Sequence, residues 1–356
     1  MRIVAIAART IRWPIASEGA ARGRTARAAV VLEVRSERGV IGLGEAAPLP
    51  GLSLDTLDDA ARAIAGFARR APFELADREA ARDIATAATG AASARFAIEA
   101  ALLDALARDR GVSIAALLGA PAASVALAAV VDDAVAARRA AAAGIRCFKI
   151  KLAAGDDPGR VLAIAAAVPG ARLRIDANQS WPRGEVAARV TELAARAALA
   201  GLPIDYVEEP CPETHLLLGE PLALRLALDE SLATLAADEL RAALHRPQLA
   251  AVVLKPTLLG GLSASLALAE LARAAGVAAV ASHGLEGPIG TAACAELALA
   301  LGDAHPAGLA SHAALAGWSL TVPQLAADHV RAAAAPGLGW PDLDLAAVIR
   351  AAPADR

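Results

Sequence analysis

Short apolar segments recur through the middle of this chain at a nearly constant spacing, and each ends in a charged or polar residue. One residue near the carboxyl end of each segment marks the series: Lys151, Asp176, Glu208, Asp229, Lys255 and Ser282. The successive gaps are 25, 32, 21, 26 and 27 residues. This is the length of one strand followed by one helix, so the pattern predicts a parallel sheet whose strands alternate with helices.

Two further apolar segments extend the series to eight strands. Val130, within the apolar run Val125–Val131, lies 21 residues before the first marker, and Leu309 lies 27 residues after the last. Eight such units predict an α/β fold, a TIM-type (β/α)7β barrel over residues 121–324. A doubly wound open sheet is the alternative, and it is disfavoured because no glycine-rich phosphate-binding motif follows the first strand.

The first 120 residues have a different pattern, in which predicted strands come before predicted helices. The strands are predicted at residues 2–6, 28–34 and 39–45. One helix is expected to begin after Ser53 as its N-cap, and another covers roughly residues 91–109. This order predicts a small α+β domain over residues 1–120. The segment from about 325 to 356 is predicted to return and pack on it.

Composition and charge exclude several functional classes. The 356 residues are 56% hydrophobic, enough for a large core, and the net charge of −3 without a basic run argues against nucleic-acid binding. Cys147, Cys211 and Cys294 lie far apart, which predicts neither a disulfide framework nor a zinc site. The apolar tracts are interrupted by charges and Met1 begins directly in strand-like sequence. We therefore expect no membrane span, no signal peptide and a cytoplasmic location.

Three of the strand-end residues are carboxylates: Asp176, Glu208 and Asp229. The carboxyl ends of the strands form the active-site face of a TIM-type barrel, so these side chains should converge. Converging carboxylates repel one another, and a divalent cation removes that repulsion. Oxygen ligands alone favour a hard ion, with Mg²⁺ the first choice and Mn²⁺ the second. For any one of them alone, a helix cap or an arginine partner at the barrel rim is the simpler interpretation.

Lysines flank the carboxylates on both sides. Lys149 and Lys151 share one face of their strand because side chains alternate, and Lys255 ends a later strand. Burial, a neighbouring ammonium and a divalent cation would all lower the pKa of a lysine and make it a base. A solvated edge strand is the alternative for Lys149 and Lys151, and their apolar neighbours disfavour it. A cation and lysines facing one cavity predict abstraction of a proton α to a carboxylate.

At these residues the chain resembles the muconate-lactonizing-enzyme subgroup of the enolase superfamily. The matching stretches are residues 44–51, 173–178, 208–211, 229–231 and 253–258. Lys255 fits this subgroup, because the mandelate-racemase subgroup has a His–Asp dyad in place of that lysine. Within the subgroup, the chain most resembles the o-succinylbenzoate synthase family, the dehydratases of menaquinone biosynthesis.

The resemblance implies a role for each strand-end residue. Asp176, Glu208 and Asp229 would be the Mg²⁺ ligands. Lys151 would abstract the α-proton and then help hydroxide to leave from the same face. Lys255 would stabilise the enediolate from the other side. The substrate would be a small carboxylate, and a homo-oligomer is compatible with the sequence.

Further residues take supporting roles by the same resemblance. Lys149 would tune the neighbouring base, and Asn178 would lie next to the metal ligands. The segment Ser282-His283-Gly284 would line the succinyl-side pocket, with His283 as a polar pocket residue and not a base. The family often has small hydroxylated residues at this place.

The N-terminal domain would then cap the barrel mouth. Its loop Trp13–Arg24 and the turn at residues 50–53 would close over the substrate. Glu45 is expected only to hold the interface between the domains.

Three functions remain open at the level of sequence. The first is a dehydratase that removes water from 2-succinyl-6-hydroxy-2,4-cyclohexadiene-1-carboxylate by syn elimination. The second is a racemase of N-acylamino acids or a dipeptide epimerase. Dipeptide epimerases use an Asp-x-Asp pair to bind the amine of the dipeptide. No such pair follows the last strand near residues 310–312, which weakens the dipeptide alternative. The third is a barrel without catalytic activity, which the complete set of three carboxylates and three lysines disfavours.

Overall fold

The amino-terminal sheet consists of antiparallel strands. The computed structural model describes residues 1–15, 26–119, 121–302, 304–310 and 319–352. The strands of this sheet are β1 (Arg2–Pro14), β2 (Ala26–Ser36), β3 (Ile41–Ala46) and β4 (Phe73–Glu74). They lie in the order β3-β2-β1-β4. Ile11 and Trp13 are two residues apart, so both turn into the core, and Trp13 is fully buried. Most of the predicted lid loop after Trp13 lies outside the described residues.

Helices cover one side of this sheet. They are α1 (Leu57–Ala68), α2 (Arg78–Ala88), α3 (Ala92–Arg110) and α4 (Ile114–Leu118). The central helix, α3, is buried along most of its length and packs directly on β3. A Cβ atom at Gly42 would lie 2.0 Å from the carbonyl oxygen of Ala101, and one at Gly44 would lie 1.9 Å from that of Ala97. The two glycines of β3 therefore allow an approach that no larger residue could make.

The first helix begins three residues later than predicted. Its N-cap is Thr56, whose hydroxyl accepts a hydrogen bond from the backbone N–H of Asp59 while the Asp59 carboxylate accepts one from the backbone N–H of Thr56. This reciprocal pair is a capping box and satisfies two backbone donors. The predicted N-cap, Ser53, instead accepts a hydrogen bond from the backbone of Leu49 at 2.8 Å. Ser53 was wrong as a cap because it closes the turn before the helix.

The second sheet is parallel and forms the barrel. Its strands are β6 (Ala128–Val130), β7 (Cys147–Lys151), β8 (Arg172–Asp176), β9 (Ile204–Glu208), β10 (Leu226–Leu228), β11 (Leu249–Leu254) and β12 (Ala278–Ala281). They lie side by side in chain order. Residues 307 and 308 form parallel bridges to Leu127 and Ser282, beside the two edge strands, and so close the ring. The predicted barrel and N-terminal α+β domain are confirmed.

The barrel helices follow the strands in the predicted alternation. They are α5 (Ala134–Ala142), α6 (Gly159–Ala167), α7 (Val186–Leu199), α8 (Thr214–Leu217), α9 (Ala237–Leu244), α10 (Pro256–Leu259), α11 (Leu262–Ala274) and α12 (Pro288–Leu301). Buried leucine, valine, isoleucine and alanine fill the space between them and the sheet. Parallel strands covered in this way can be apolar throughout, which is the pattern that the sequence shows.

One predicted strand is in fact two. The apolar run Val125–Val131 divides into β5 (Ser124–Ala126) and β6, because the backbone N–H of Leu127 turns to the carbonyl oxygen of Asp328 at 2.9 Å. β5 pairs antiparallel with β13 (His329–Arg331), outside the barrel sheet. Hydrophobicity alone could not show this break, since both pieces are apolar.

The carboxyl-terminal segment returns to the amino-terminal sheet. Helix α13 (Leu345–Ala351) contacts β1 and β2. The backbone N–H of Leu345 donates to the Glu33 carboxylate at 2.9 Å. The backbone N–H of Leu338 donates to Asp104 of α3 at 2.8 Å.

Glu45 joins the two parts of the molecule. This fully buried carboxylate at the end of β3 accepts hydrogen bonds from the backbone N–H groups of Gly287, at 2.7 Å, and Gly290, at 2.9 Å, at the start of α12. Burial raises the pKa of Glu45 from 4.5 to about 7, although the two backbone hydrogen bonds act in the opposite direction. The Glu45 side chain, which belongs to the amino-terminal domain, therefore caps a helix of the barrel.

This raised pKa predicts a pH-dependent stability. Between pH 4.5 and about 7 the folded protein keeps a proton on Glu45 that the unfolded chain releases. The free energy of unfolding should therefore fall as pH rises through that interval. At about 1.4 kcal/mol per pKa unit, this group contributes up to about 3 kcal/mol of the fall. We expect Glu45→Gln to remove that part of the slope in urea unfolding at pH 4.5 to 7.5. The exposed Glu37→Gln is the control, and equal slopes in wild type and Glu45→Gln would contradict the assignment.

Candidate active site

The carboxyl ends of the barrel strands bring the three predicted carboxylates to one face. Asp176 ends β8, Glu208 ends β9 and Asp229 follows β10 directly. Each of them is no more than 3% exposed. Lys151, Asp176 and Glu208 are in register across three neighbouring strands. The strands are therefore arranged as predicted. Because the three carboxylates are almost fully buried, their negative charges need positive charges nearby.

Lys149 provides part of that balance. Its ammonium nitrogen lies 2.8 Å from Oδ2 of Asp176 and 2.7 Å from Oε1 of Glu208. Burial alone would lower the pKa of Lys149, but the charges of Asp176 and Glu208 outweigh it and hold this pKa well above the ordinary value. Burial likewise raises the pKa of Asp176, and the Lys149 charge outweighs that effect and leaves it below its ordinary value. Lys149 is thus a permanent cation between two carboxylates.

Lys255 has a similar place on the other side. Its ammonium donates to Oδ2 of Asp229 and lies 3.8 Å from Oε1 of Glu230. Burial would lower the pKa of Lys255, but Asp229 and then Glu230 raise it above its ordinary value. The turn that follows Lys255 is held by the amino-terminal domain, because Arg95 of α3 donates to the carbonyl oxygen of Gly260 at 2.7 Å. The domains therefore cooperate in positioning this lysine.

Lys151 and Lys255 lie across the barrel from each other. The ring has eight positions, counted from β6 through β12 to residues 307 and 308, and β7 and β11 are its second and sixth. Positions four apart in a closed ring of eight are opposite. The carboxylate-bearing strands β8, β9 and β10 lie between them. A substrate bound at these carboxylates would therefore have a lysine on each side.

These three lysines are the only ones in the chain, and the other 32 of its 35 basic residues are arginines. Arginine cannot release its proton in a protein, whereas lysine can be made a base. The restriction of lysine to three places on one face favours a role for an amine there. This count was a signal available in the sequence, and it would have identified the site without any periodicity.

The donor set has the chemistry of a cation site. Oδ1 of Asp229 and Oε2 of Glu230 are buried without a hydrogen-bond partner among the described residues. Buried carboxylate oxygens without partners are costly, and a hard divalent cation would satisfy them. In the described part of the chain, however, no three acidic, histidine or cysteine side chains are gathered closely enough to hold a metal as they stand. The ammonium groups of Lys149 and Lys255 supply the positive charge instead.

Asn178 lies beside the first carboxylate. Its backbone N–H donates to Oδ1 of Asp176 at 2.9 Å, and its side-chain amide donates to Oδ2 at 3.2 Å. Asn178 has a positive φ of 46°, a left-handed conformation that asparagine tolerates better than most residues. These bonds orient the Asp176 carboxylate.

Glu209 is a site residue whose role sequence reasoning missed. It is fully buried and accepts hydrogen bonds from the backbone N–H groups of Asp229 at 2.8 Å and Ser231 at 2.9 Å. It also accepts from the Ser231 hydroxyl at 2.8 Å and the Gln179 amide at 3.2 Å. Two adjacent glutamates at the end of a buried strand must point to different sides, so the second needs its own donors. Glu209 thereby positions the loops that carry Asp229 and Asn178.

Ser282, His283 and Gly284 follow β12, one barrel position beyond Lys255. The Ser282 hydroxyl donates to the carbonyl oxygen of Gly308 at 3.3 Å. Nδ1 of His283 accepts a hydrogen bond from the backbone N–H of Leu285 at 3.1 Å. The same nitrogen lies 3.9 Å from Oε2 of Glu286, so the ring is oriented by the loop that follows β12.

A buried arginine fixes this loop to the amino-terminal domain. Arg27 of β2 donates to the carbonyl oxygens of Leu285 and Pro48, at 2.9 Å each, and also to those of Ala47 and Gly284. It thus ties the loop after β12 to the chain just before the turn at residues 50–53. Residues 282–284 are expected to line the substrate pocket and the turn at residues 50–53 to close over the substrate, and one guanidinium links the chain beside each of them.

Arg27→Met is expected to loosen this link. Four carbonyl oxygens, three of them buried and one partly buried, would lose a charged donor, so the free energy of unfolding should fall by at least about 2 kcal/mol. Hydrogen exchange should also become faster at the backbone amides of residues 284–287. Arg35→Met is the matched control, because Arg35 is exposed on the same strand and, within the described part of the chain, its one ion pair is with Glu33. Equal stability of the two variants would show that Arg27 does not hold the loop.

Comparison with known proteins identifies the family. The "Enolase C-terminal domain-like" profile matches residues 105–341, and the "Mandelate racemase / muconate lactonizing enzyme, N-terminal domain" profile matches residues 2–119. The chain belongs to the enolase superfamily, in its mandelate racemase/muconate lactonizing enzyme group. The superfamily predicted from the strand-end residues is confirmed.

Relatives within this superfamily have different activities. The chain is 32% identical over 230 residues to chloromuconate cycloisomerase from Cupriavidus pinatubonensis, with 60% of each chain covered. It is 29% identical over 209 residues to an L-Ala-D/L-amino acid epimerase from Pedosphaera parvula, with 56% of this chain and 58% of the relative covered. The chain therefore spans about three fifths of the length of these curated relatives.

A solved structure extends the likeness over almost the whole chain. It is the dipeptide epimerase from Methylococcus capsulatus, complexed with Mg and the dipeptide L-Arg-D-Lys. The TM-score is 0.79 at 25% identity, with 95% of this chain and 98% of that chain covered. The relatives described above are thus cycloisomerases and epimerases. The o-succinylbenzoate synthase activity stays a prediction. In the described residues, no helix is long and apolar enough to cross a membrane.

Proposed function

We propose that this protein is an Mg²⁺-dependent racemase or epimerase that inverts the α-carbon of N-acylated amino acids, a class that includes dipeptides. The observation that carries the proposal is the placement of Lys151 and Lys255 at opposite positions of the barrel, on either side of the carboxylates. Inversion of a carbon centre by proton transfer needs a base on one face and an acid on the other. The relatedness to epimerases supports the same assignment.

Asp176, Glu208 and Asp229 would hold the metal. Their oxygen-only donor set suits Mg²⁺, and the buried Oδ1 of Asp229 without a hydrogen-bond partner among the described residues fits a cation. When bound, the ion would neutralise the substrate carboxylate and stabilise the negative charge that develops there. Lys149, already a cation between two of these carboxylates, would add a second positive charge at that place.

The two lysines would then have complementary tasks. Lys151, in its neutral form, takes the α-proton, and the electron pair of the broken C–H bond moves toward the substrate carboxylate. Lys255 is held as an ammonium by Asp229 and Glu230, and it gives a proton to the opposite face of the same carbon. In the reverse direction the two lysines exchange roles.

The nature of the acyl group is suggested by the end of the barrel. No Asp-x-Asp is present near residues 310–312, so the chain offers no acidic pair for the free amine of a dipeptide there. Residues 311 and 312 themselves lie outside the described residues. This favours a substrate whose acyl group carries no amine over one with a free amino terminus.

The same absence favours a second candidate, the o-succinylbenzoate synthase type of dehydration. That reaction removes the α-proton and hydroxide from one face of 2-succinyl-6-hydroxy-2,4-cyclohexadiene-1-carboxylate. It needs one base, so Lys255 would serve only as a fixed positive charge. Its substrate carries no amine, in keeping with the missing acidic pair.

Exchange with solvent deuterium separates the candidates. We expect the protein, with Mg²⁺ in D₂O, to replace the α-proton of N-succinyl or N-acetyl amino acids and to racemise them, as followed by ¹H NMR and polarimetry. A panel of dipeptides tests the acyl preference, and removal of Mg²⁺ with EDTA is the control. Conversion of the cyclohexadiene without any exchange in the amino-acid derivatives would favour the dehydratase. No turnover with either class would leave neither proposal standing.

A further inference from the structure

A cavity of about 370 Å³ lies at the end of the barrel away from the candidate active site. Cys147 and Arg172, which begin β7 and β8, both line it. The other ends of the same strands carry Lys151 and Asp176. Strands of five residues rise by about 13 Å, so the cavity is separate from the active-site face. Its volume falls within the range of about 300–1,000 Å³ that small-molecule sites have.

Two arginines at this cavity have guanidinium nitrogens that can still donate hydrogen bonds to a ligand. Arg146 donates through Nη1 only, to the carbonyl oxygens of Ala141 and Ile145, and has no acidic partner among the described residues. Arg172 forms one ion pair, from Nε to Asp205 at 3.0 Å. Its two Nη nitrogens thus make no hydrogen bond within the described part of the protein. Both side chains are largely exposed to the cavity and solvent.

The surroundings of the cavity are positive. Arg174 is buried beneath it and donates to the carbonyl oxygen of Pro306, a lining residue, at 2.9 Å. Among the described residues, two carboxylates accompany these three guanidinium groups: Asp205, which pairs with Arg172, and Asp328, which lines the cavity. Asp328 is already bound to Nδ1 of His329 at 2.6 Å. The pKa of His305 is lowered, first by burial and then by the charges of Arg174 and Arg172.

We propose that this cavity is a second binding site, for a small anion that carries a carboxylate or a phosphate group, held between Arg146 and Arg172. The planar guanidinium group forms paired hydrogen bonds with either group, and two such groups can grip one anion from both sides. Nothing in the proposed reaction uses these residues. The site therefore stands whether or not the protein is a racemase.

Calorimetric titration of the full chain at constant ionic strength tests the site, with succinate and inorganic phosphate as separate probes. We expect at least one of them to bind, and Arg146→Gln/Arg172→Gln to weaken its affinity at least about tenfold, which corresponds to about 1.4 kcal/mol. Arg138→Gln is the matched control, since this exposed arginine lies on α5 outside the cavity. The single variant Arg146→Gln serves if the double variant does not fold, because Arg146 forms no ion pair with any described residue.

The active-site cations could also attract an anion, so the titration is repeated with Lys151→Ala and Lys255→Ala. Unchanged affinity in both supports the second site. Binding of succinate without phosphate assigns a carboxylate ligand, and the reverse assigns a phosphate ligand. Absence of binding by both probes, unaltered affinity in the arginine variants, or affinity lost only in the lysine variants would each overturn the proposal.

Discussion

Lys151→Ala and Lys255→Ala should each abolish racemisation, by at least about 10³-fold, while leaving complementary halves of the exchange reaction. Each variant keeps one base, so it should exchange the α-proton of only that enantiomer whose proton faces the remaining lysine. The measurement is deuterium incorporation into separate L and D substrates. Lys→Arg at each position is the matched control, because arginine keeps the charge but cannot accept a proton.

Other outcomes distinguish the alternatives. Loss of all activity in Lys151→Ala, with only partial loss in Lys255→Ala and in Lys255→Arg, would indicate the one-base dehydration. Full activity in either arginine variant would show that the lysine acts by charge alone.

Since the chain has only three lysines, ¹⁵N-labelled lysine should also give three side-chain signals by NMR. Those of Lys149 and Lys255 should remain ammonium signals above neutral pH, because the adjacent carboxylates raise their pKa values.

Asp176→Asn should remove metal binding and activity while the protein stays folded. Loss of a residue that only supports a metal ligand typically costs 10–100-fold in metal affinity, so loss of a ligand should cost at least about 100-fold. The fold should survive because Lys149 keeps its second partner, Glu208, at 2.7 Å. Titration of the variant with Mg²⁺ measures the affinity directly, without any substrate.

Asp205→Asn is the control for this change. Asp205 lies near the start of β9, at the other end of the strand from Glu208, where it pairs with Arg172. We expect its replacement to leave Mg²⁺ binding as it is in the wild type. If Asp176→Asn bound Mg²⁺ as tightly as Asp205→Asn, the assignment of the three strand-end carboxylates to the metal would be wrong.

Much of the barrel was predictable because its constraints are local and repeated. A strand–helix unit has a narrow range of lengths, and the carboxyl ends of parallel strands meet on one face. The spacing of Lys151, Asp176, Glu208, Asp229 and Lys255 therefore implied that they would converge. The exact start of α1 and the break between β5 and β6 were missed, since each depends on only one or two hydrogen bonds and leaves the hydrophobic pattern unchanged.

The residues that hold the site together were harder to predict. Arg27 finds its four carbonyl partners only when segments more than 230 residues apart come together, and backbone acceptors leave no trace in a sequence. Glu209 likewise binds backbone N–H groups some 20 residues away. Lys149 was expected to tune Lys151, whereas its closest partners are Asp176 and Glu208 on neighbouring strands.

By itself, then, the sequence determined the barrel, the capping domain and which side chains reach the active-site face, because the spacing of the strands and the residues at their ends follow from the order of residues along the chain. The tertiary structure alone decided which ammonium neutralises which carboxylate, since that depends on distances between strands. It also decided how the ring closes, because the bridges of residues 307 and 308 to Leu127 and Ser282 depend on contacts between distant parts of the chain.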